Sequence, residues 1–285
     1  MQLISWGEQV LKACGLENAR REAEILLAHC LGKPYLQLLM GLNDPVSPEK
    51  YHRYRELIGK RQGGHPLQYL TGTQNFMSLD FEVNEEVLIP RWDTEILVEW
   101  ALELLKEQDH PRVVDVGTGS GAIGVSLAKY HAGCSIFALD ISPVALAVAQ
   151  RNATRHGVED KITFLAGDLL EPVLNTPEYQ GLKFDMVISN PPYIARGELR
   201  NLPSEVQREP QLALDGGADG LDCYRRLVPQ AKNVLRPGGY LLLEIGWDQA
   251  EEVKEICRAN GFGKISVFQD YGQRDRVVSA CLLKG

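Results

Sequence analysis

Val113-Val114-Asp115-Val116-Gly117-Thr118-Gly119-Ser120-Gly121-Ala122-Ile123-Gly124 is the stretch that decides the fold. Valines around one aspartate read as a short buried strand. The glycines that follow allow positive φ and let the backbone pass close to a ligand. A helix then begins, and its first turn offers free N–H groups. Gly119-x-Gly121-x-x-Gly124 matches the strand–turn–helix fingerprint of nucleotide-binding α/β sheets. Asp140 follows Gly119 by 21 residues, at the expected end of the next strand. There its carboxylate can accept hydrogen bonds from both hydroxyls of a ribose.

This loop suits two cofactors. A nicotinamide dinucleotide would rest its pyrophosphate on the helix N-terminus. S-adenosylmethionine has a ribose but no phosphate, and carries a positive sulfonium. Asp115 favours the second, because a carboxylate before the turn repels a pyrophosphate and suits a sulfonium-bearing amino acid. Gly167-Asp168-Leu169 follows the third expected strand. Asp168 can accept from an adenine amino group, or can cap a helix.

Downstream, strands expected at 112–116, 135–140, 161–165, 184–189 and 240–245 follow one another with helices between, at 122–130 and after Ser142-Pro143. That rhythm implies a parallel sheet covered by helices on both faces. The last strands, near 264–269 and 277–283, have no long helix between them and read as an antiparallel hairpin at the sheet edge. Before Asp93 the pattern is helical. Asn18 is a candidate cap for a helix ending at Gly32, and Ser47-Pro48 opens another that Gly63-Gly64 breaks. Met77, Leu79, Phe81 and Val83 alternate with polar residues, a strand pattern. Leu97, Trp100, Ala101, Leu104 and Leu105 fall at helical spacing. The expected organisation is a helical domain over 1–72, a β-hairpin connection over 73–91 and an α/β domain over 92–285.

Phe184-Asp185-Met186-Val187-Ile188-Ser189-Asn190-Pro191-Pro192-Tyr193-Ile194 carries the chemistry. The strand runs straight into a loop where each residue before a proline is held extended. Prolines have no N–H, so the loop presents acceptors. The Asn190 side-chain oxygen and the Pro191 carbonyl form a fixed pair that matches one planar NH₂ group, with the Tyr193 ring beside it. An amide or aromatic amine is a poor nucleophile because its lone pair is delocalised. Two acceptors that draw both N–H bonds out of plane would localise that pair and aim it at a methyl group. The aromatic face would stabilise the developing positive charge by up to ~2 kcal/mol. The reading from residues alone is methyl transfer to an amino or amide nitrogen.

The 285 residues allow about two domains. Hydrophobic residues make up 44%, enough for a large core, and the formal net charge of −8 disfavours a nucleic-acid backbone as partner. The six cysteines are scattered and no His or Cys cluster has zinc spacing, so no metal is expected. No apolar run reaches a membrane span, and residues 1–15 show no signal-peptide pattern, so a reducing cytoplasm is the expected setting.

With both motifs in hand, the chain resembles the class I S-adenosylmethionine-dependent methyltransferases. Within them it looks most like the peptide chain release factor glutamine methyltransferase family (HemK/PrmC). The resemblance extends to His65-Pro66-Leu67-Gln68-Tyr69-Leu70-Thr71-Gly72, to Leu88-Ile89-Pro90-Arg91-Trp92-Asp93-Thr94-Glu95, to Glu209-Pro210-Gln211-Leu212-Ala213-Leu214-Asp215-Gly216-Gly217 and to Arg236-Pro237-Gly238-Gly239. Trp92 departs from it, standing where the family usually has a second proline. The resemblance implies a Rossmann-like seven-stranded methyltransferase domain with a small N-terminal helical domain. It implies S-adenosyl-L-methionine as cofactor, and as substrate the glutamine of the Gly-Gly-Gln motif of class I release factors, methylated on its side-chain amide nitrogen. Candidate cofactor-binding residues are Asp115, Gly117, Thr118, Gly119, Gly121, Ile123, Asp140, Ile141, Asp168, Leu169 and Asn190. Candidate substrate-binding residues are Asn190, Pro191, Pro192, Tyr193, Arg91 and Trp92, with Asn190, Pro191 and Tyr193 catalytic. The turn-rich stretch from Glu209 to Gly220 reads as a lid. The competing reading is an adenine-amino methyltransferase of DNA or RNA, which needs a flipped base and a basic path for phosphates. A nicotinamide-dependent oxidoreductase would leave Asn190–Tyr193 unexplained.

Overall fold

The computed structural model describes residues 2–41 and 45–283. Residues 1, 42–44, 284 and 285 of the expected domain spans lie outside the described residues. The chain divides into two compact units. One comprises Met1–Thr73 with Pro203–Arg208, the other Gln74–Leu202 with Glu209–Gly285.

The first unit is built from α1 (Gln2–Lys12), α2 (Ala19–Leu31), α3 (Tyr35–Met40), α4 (Pro48–Gln62) and α5 (Leu67–Thr71). Ser47 caps α4 by accepting from the Lys50 N–H, with Pro48 in the first turn, whereas Asn18 makes no side-chain cap bond. Gly32 ends α2 in the left-handed conformation. Ile4, Leu11, Ala23, Leu26, Tyr54, Leu57 and Ile58 fill its core. Arg61 is buried among them and forms a forked pair with Glu22, at 2.5 and 3.1 Å.

The second unit opens with a hairpin, β1 (Thr73–Phe76) and β2 (Leu79–Glu82). Here the structure corrects the expected strand through Met77. Met77 and Ser78 have φ of 50° and 59° and form the tight turn between the two strands. Alternation hid this turn because neither residue is a glycine or asparagine, and Phe76 and Phe81 are the residues that bury. A 3-10 turn (Trp92–Thr94) leads into α6 (Glu95–Leu105). There follow β3 (Arg112–Val116), α7 (Ala122–Tyr130), β4 (Ser135–Asp140), α8 (Pro143–His156), β5 (Ile162–Ala166), α9 (Glu171–Asn175), β6 (Phe184–Ser189), α10 (Asp222–Val234), β7 (Leu235–Glu244), α11 (Ala250–Ala259), β8 (Phe262–Gln269) and β9 (Asp275–Leu282).

The sheet order is β5-β4-β3-β6-β7-β9-β8. Strands β5 to β7 run parallel, and β9 is antiparallel to both β7 and the edge strand β8. Strand order reverses at β3, whose neighbours are β4 on one side and β6 on the other. Such a reversal opens a crevice at the carboxyl ends of the strands. Register sharpens this, because Val116 pairs with Leu139 of β4 and with Ser189 of β6. Gly117, Asp140 and Asn190 therefore leave the sheet at one level. Two apolar clusters, one including Ile136, Met186 and Leu242 and the other Val187, Leu241 and Leu243, pack around the sheet and hold that edge rigid. No helix among the described residues is long and apolar enough to cross a membrane.

Candidate active site

The glycine turn is anchored from both ends. The N–H groups of Gly117 and Thr118 donate to the Leu139 carbonyl at 2.8 and 2.9 Å. Gly119 N–H donates to Asp140 Oδ2 at 2.8 Å. Gly117, Gly119 and Gly121 all have positive φ, which explains the alternating glycines. Gly124 serves packing instead, since a Cβ there would lie 3.0 Å from Asp115 Oδ2 and 3.1 Å from Ile136.

Asp115 is fully buried beneath the turn rather than facing the crevice. Its Oδ2 accepts from Thr118 Oγ1 at 2.6 Å and from Gly124 N–H at 3.0 Å, and its Oδ1 has no hydrogen-bond partner among the described residues. Burial pushes its pKa up to about 7, against those two hydrogen bonds, and nearby Asp140 adds to the rise. Asp115 is thus the brace of the turn. Thr118, Gly121 and Ile123 are likewise buried in the turn and the start of α7.

A cavity of about 470 Å³ opens at this edge, a size suited to a small-molecule ligand. Gly117, Gly119, Asp140, Ile141, Asp168 and Leu169 line it, as do Asn190, Pro191 and Pro192. Pro210, Leu212, Ala213, Asp215 and Gly217, from the stretch read as a lid, complete the wall with Glu86, Val87 and Leu88. Asp140 Oδ1 accepts from Ser142 N–H at 2.9 Å, so each carboxylate oxygen holds one backbone bond and keeps lone-pair capacity for a ligand. Burial raises its pKa, opposed by backbone N–H groups of Ser142, Gly119 and Ile141. Asp168 is no helix cap. It pairs with Arg226 of α10, which also lines the cavity. Leu169 has φ of 49°, a rare conformation for a branched side chain. Ile141 is half exposed on the cavity wall.

Asn190 Nδ2 donates to Thr94 Oγ1 at 3.1 Å. Ser189 Oγ donates to the Val116 carbonyl at 2.7 Å, tying the strand end below it to β3. The segment after the prolines is laced to the lid: Ile194 N–H donates to Leu214 O, and Gly216 N–H to Ile194 O. Gln249 Nε2 donates to the Tyr193 carbonyl at 3.0 Å. The Tyr193 ring packs against the sheet's apolar core, with its hydroxyl 3.5 Å from Glu244 Oε1. Burial raises the Tyr193 pKa well above its ordinary value, and the Glu244 charge adds to it. Arg91 pairs with Glu209 at the start of the lid, and Glu209 Oε2 also accepts from Ile89 N–H at 3.1 Å. Trp92 is 72% exposed, and neither it nor Arg91 stands among the cavity-lining residues.

Sequence reasoning missed Glu244, at the last position of β7. It is completely buried, and its Oε2 has no hydrogen-bond partner among the described residues. Burial pushes its pKa up to about 7, opposed by the Thr94 hydroxyl, the Arg276 charge and Tyr193, while Asp93 adds to the rise. A carboxylate closing the apolar run of β7, Leu241-Leu242-Leu243-Glu244-Ile245, was the available signal.

Residues 2–72 match the PrmC N-terminal domain family, and residues 107–278 match a methyltransferase domain family. The release factor glutamine methyltransferase of Moorella thermoacetica is 49% identical, with 95% of this chain and 94% of that protein covered. The chain belongs to the release factor glutamine methyltransferase family. Members from Geobacter sulfurreducens, 43% identical over 97% of this chain and 94% of theirs, and from Bacillus subtilis, 37% identical over 99% and 98%, also align nearly end to end. Beyond the family, the fold is shared with the hMettl16 catalytic domain solved with a MAT2A 3'UTR hairpin, at a TM-score of 0.58 and 18% identity, covering 86% of this chain and 87% of that one. It is shared too with the ribosomal protein L11 methylase of Lactobacillus delbrueckii subsp. bulgaricus, at 0.52 and 20%, covering 71% and 84%. The seven-stranded sheet is therefore the class I methyltransferase fold, here on an enzyme of the release factor glutamine methyltransferase family.

Proposed function

We propose that the chain methylates the side-chain amide nitrogen of the glutamine in the Gly-Gly-Gln motif of class I peptide chain release factors, using S-adenosyl-L-methionine. The observation that carries this reading is that Asn190 and Pro191 line the same cavity as Asp140, Gly117 and Gly119. Family membership supports the protein substrate.

The cavity's donor set fits this cofactor. Asp140 offers carboxylate lone pairs for ribose hydroxyls, and Asp168, in the same cavity, offers an acceptor for an adenine amino group. Among the described residues nothing lies within 4 Å of where a Cβ of Gly119 would stand, so the backbone leaves open space there. Leu169 and Ile141 supply apolar walls for a purine. S-adenosylmethionine, when bound, supplies an electrophilic methyl group on a sulfonium.

The protein's own contribution is to hold the nucleophile. Asn190 Oδ1 and the Pro191 carbonyl accept the two N–H bonds of the substrate amide and weaken its conjugation. Fixing nucleophile and methyl group together supplies ~7–11 kcal/mol in favourable cases. The methylated amide cation is acidic and gives its proton to water, so no strong base is needed. We place the release factor against the helical residues 1–72 and the connection at 73–91, with Arg91 and Trp92 on the substrate side.

The test is incubation with labelled S-adenosylmethionine and a class I release factor, with the methyl group located by mass spectrometry. Label on the Gly-Gly-Gln glutamine is the expected result. Label only on adenine of an RNA or DNA control would overturn it.

A further inference from the structure

We infer that Arg226 and Gln230, one turn apart on α10, are positioning residues for the adenine end of the cofactor. They clamp the loop after β5 on both sides of Leu169, so that Asp168 accepts from a 6-amino purine and rejects a 6-oxo one. This rests on the reading of the cavity as an S-adenosylmethionine site with Asp168 at the adenine.

The loop holds a backbone conformation that its sequence does not favour. Leu169 has φ of 49°, where a bulky side chain is an outlier. Such a conformation persists only where its surroundings over-determine it, and it gathers at ligand clamps. Leu169 and Asp168 both line the cavity. Relaxation of Leu169 to negative φ would turn both side chains away from their present places.

Two side chains of α10 hold the loop against that relaxation. Arg226 Nη2 donates to Asp168 Oδ2. Gln230 Oε1 accepts from the Leu170 N–H at 3.0 Å. One bond thus falls on each side of Leu169. Residues four apart are neighbours on a helix surface, so a single flank of α10 supplies both. The helix is a firm support, because its Tyr224, Leu227, Val228 and Ala231 are fully buried in the apolar cluster that includes Val187 and Leu241 of the sheet.

Selection between purines follows from the same geometry. A carboxylate only accepts. Arg226 engages Oδ2 and leaves Oδ1 as the oxygen for a ligand. An adenine amino group donates to it. The carbonyl of a 6-oxo purine would set one acceptor against another, and a buried polar atom left unpaired in this way is what rejects an analogue. Without Arg226 the carboxylate can swing aside, and the penalty on the 6-oxo purine goes with it. The side chains of Arg226 and Asp168 are 54% and 33% exposed, so solvent screens the pair and effects of severalfold are expected.

The test compares Arg226→Met, Arg226→Lys, Gln230→Met, Asp168→Ala and the Arg226→Met/Asp168→Ala double variant with the wild type in the full chain. Calorimetry gives the affinity for S-adenosylhomocysteine and for its deaminated analogue, S-inosylhomocysteine. Amide hydrogen exchange at Leu169 and Leu170 is read without ligand. The wild type should prefer the adenosyl ligand by roughly tenfold or more. Arg226→Met should lower the adenosyl affinity about two- to fivefold and leave the inosyl affinity nearly unchanged. Arg226→Lys should recover part of that loss. Gln230→Met should speed exchange at Leu170 and narrow the same preference. The double variant should bind no more weakly than Asp168→Ala alone, because Arg226 acts through Asp168. Equal losses for both ligands in Arg226→Met would overturn the inference and mark general loosening. Additive losses in the double variant would overturn it too, by showing that Arg226 touches the ligand itself. Wild-type preference and exchange in both α10 variants would do the same. If the wild type binds neither ligand, the cofactor reading fails, and the exchange at Leu169 and Leu170 still decides whether α10 holds the loop.

Discussion

Asp140 Oδ2 accepts the Gly119 N–H at 2.8 Å, so the residue that closes β4 also shapes the turn that follows β3. The same carboxylate lines the cavity. Replacing it therefore has two effects, loss of ligand contacts and loosening of the turn. Asp140→Ala is expected to weaken S-adenosylmethionine binding by roughly 1.5–3 kcal/mol per lost charged hydrogen bond. Asp140→Asn, which can keep one acceptor toward Gly119, should lose less. Calorimetric titration of both variants checks the order, and unchanged affinity in Asp140→Ala would refute the ribose role.

Glu209 begins the lid with its side chain almost wholly buried, held by Arg91 and the Ile89 N–H. Arg91→Ala leaves that carboxylate without its charged partner. The expected cost is about 1–3 kcal/mol, the penalty for an abandoned buried acceptor. It should fall locally, as faster amide exchange across residues 209–217 and a raised KM for the protein substrate. Glu209→Gln in the Arg91→Ala background should recover part of the loss, because a neutral amide is cheaper to bury than a lone charge. Exchange rates in the lid that match wild type in Arg91→Ala would show that the pair does not hold it.

The fold was legible where local chemistry dictates structure. Valine-rich strand, glycine turn and helix announce themselves within twelve residues, and Ser142-Pro143 marks the start of α8 because capping is a local event. Gly117, Asp140 and Asn190 were legible as a group, because the parallel strands β3, β4 and β6 deliver their carboxyl ends to one edge. Thr94 was not. Its hydrogen bond with Asn190 depends on where α6 enters, which leaves no local trace. Asp115 shows the opposite limit. Its presence was informative, but whether a carboxylate points at a ligand or braces the loop beneath it is decided by burial. The turn at Met77 and Ser78 was hidden because side chains that usually avoid positive φ occupy it.

Arg61 grips Glu22 through two nitrogens and also reaches Glu205 at 2.9 Å and the His65 carbonyl at 3.1 Å. It is 5% exposed. Arg61→Met should destabilise the helical unit by roughly 3 kcal/mol, the low end for breaking a buried pair while its partner stays charged. Arg61→Lys keeps the charge but cannot reproduce the fork, so it should recover only part. Hydrogen exchange in α2 and α4 reads both, and wild-type protection in Arg61→Met would remove the pair from the account.

Asp115 ties pH to stability in the second unit. Its carboxyl titrates at about 7 when folded, against about 3.9 in an unfolded chain. Between these values the folded state holds a proton that the unfolded state has released. Stability therefore falls as pH rises from about 4 to about 7, by at most about 1.4 kcal/mol per pH unit for one group. Above pH 7 both states are ionised and the slope vanishes. Glu244, also raised to about 7, contributes in the same direction. Asp115→Asn isolates the effect, because its amide oxygen can replace Oδ2 toward Thr118 and Gly124 while its NH₂ takes the place of the unpartnered Oδ1. Denaturant unfolding at pH 5, 6, 7 and 8 should show a shallower decline in this variant than in wild type. Parallel curves would mean that Asp115 ionises in the folded protein at an ordinary pKa.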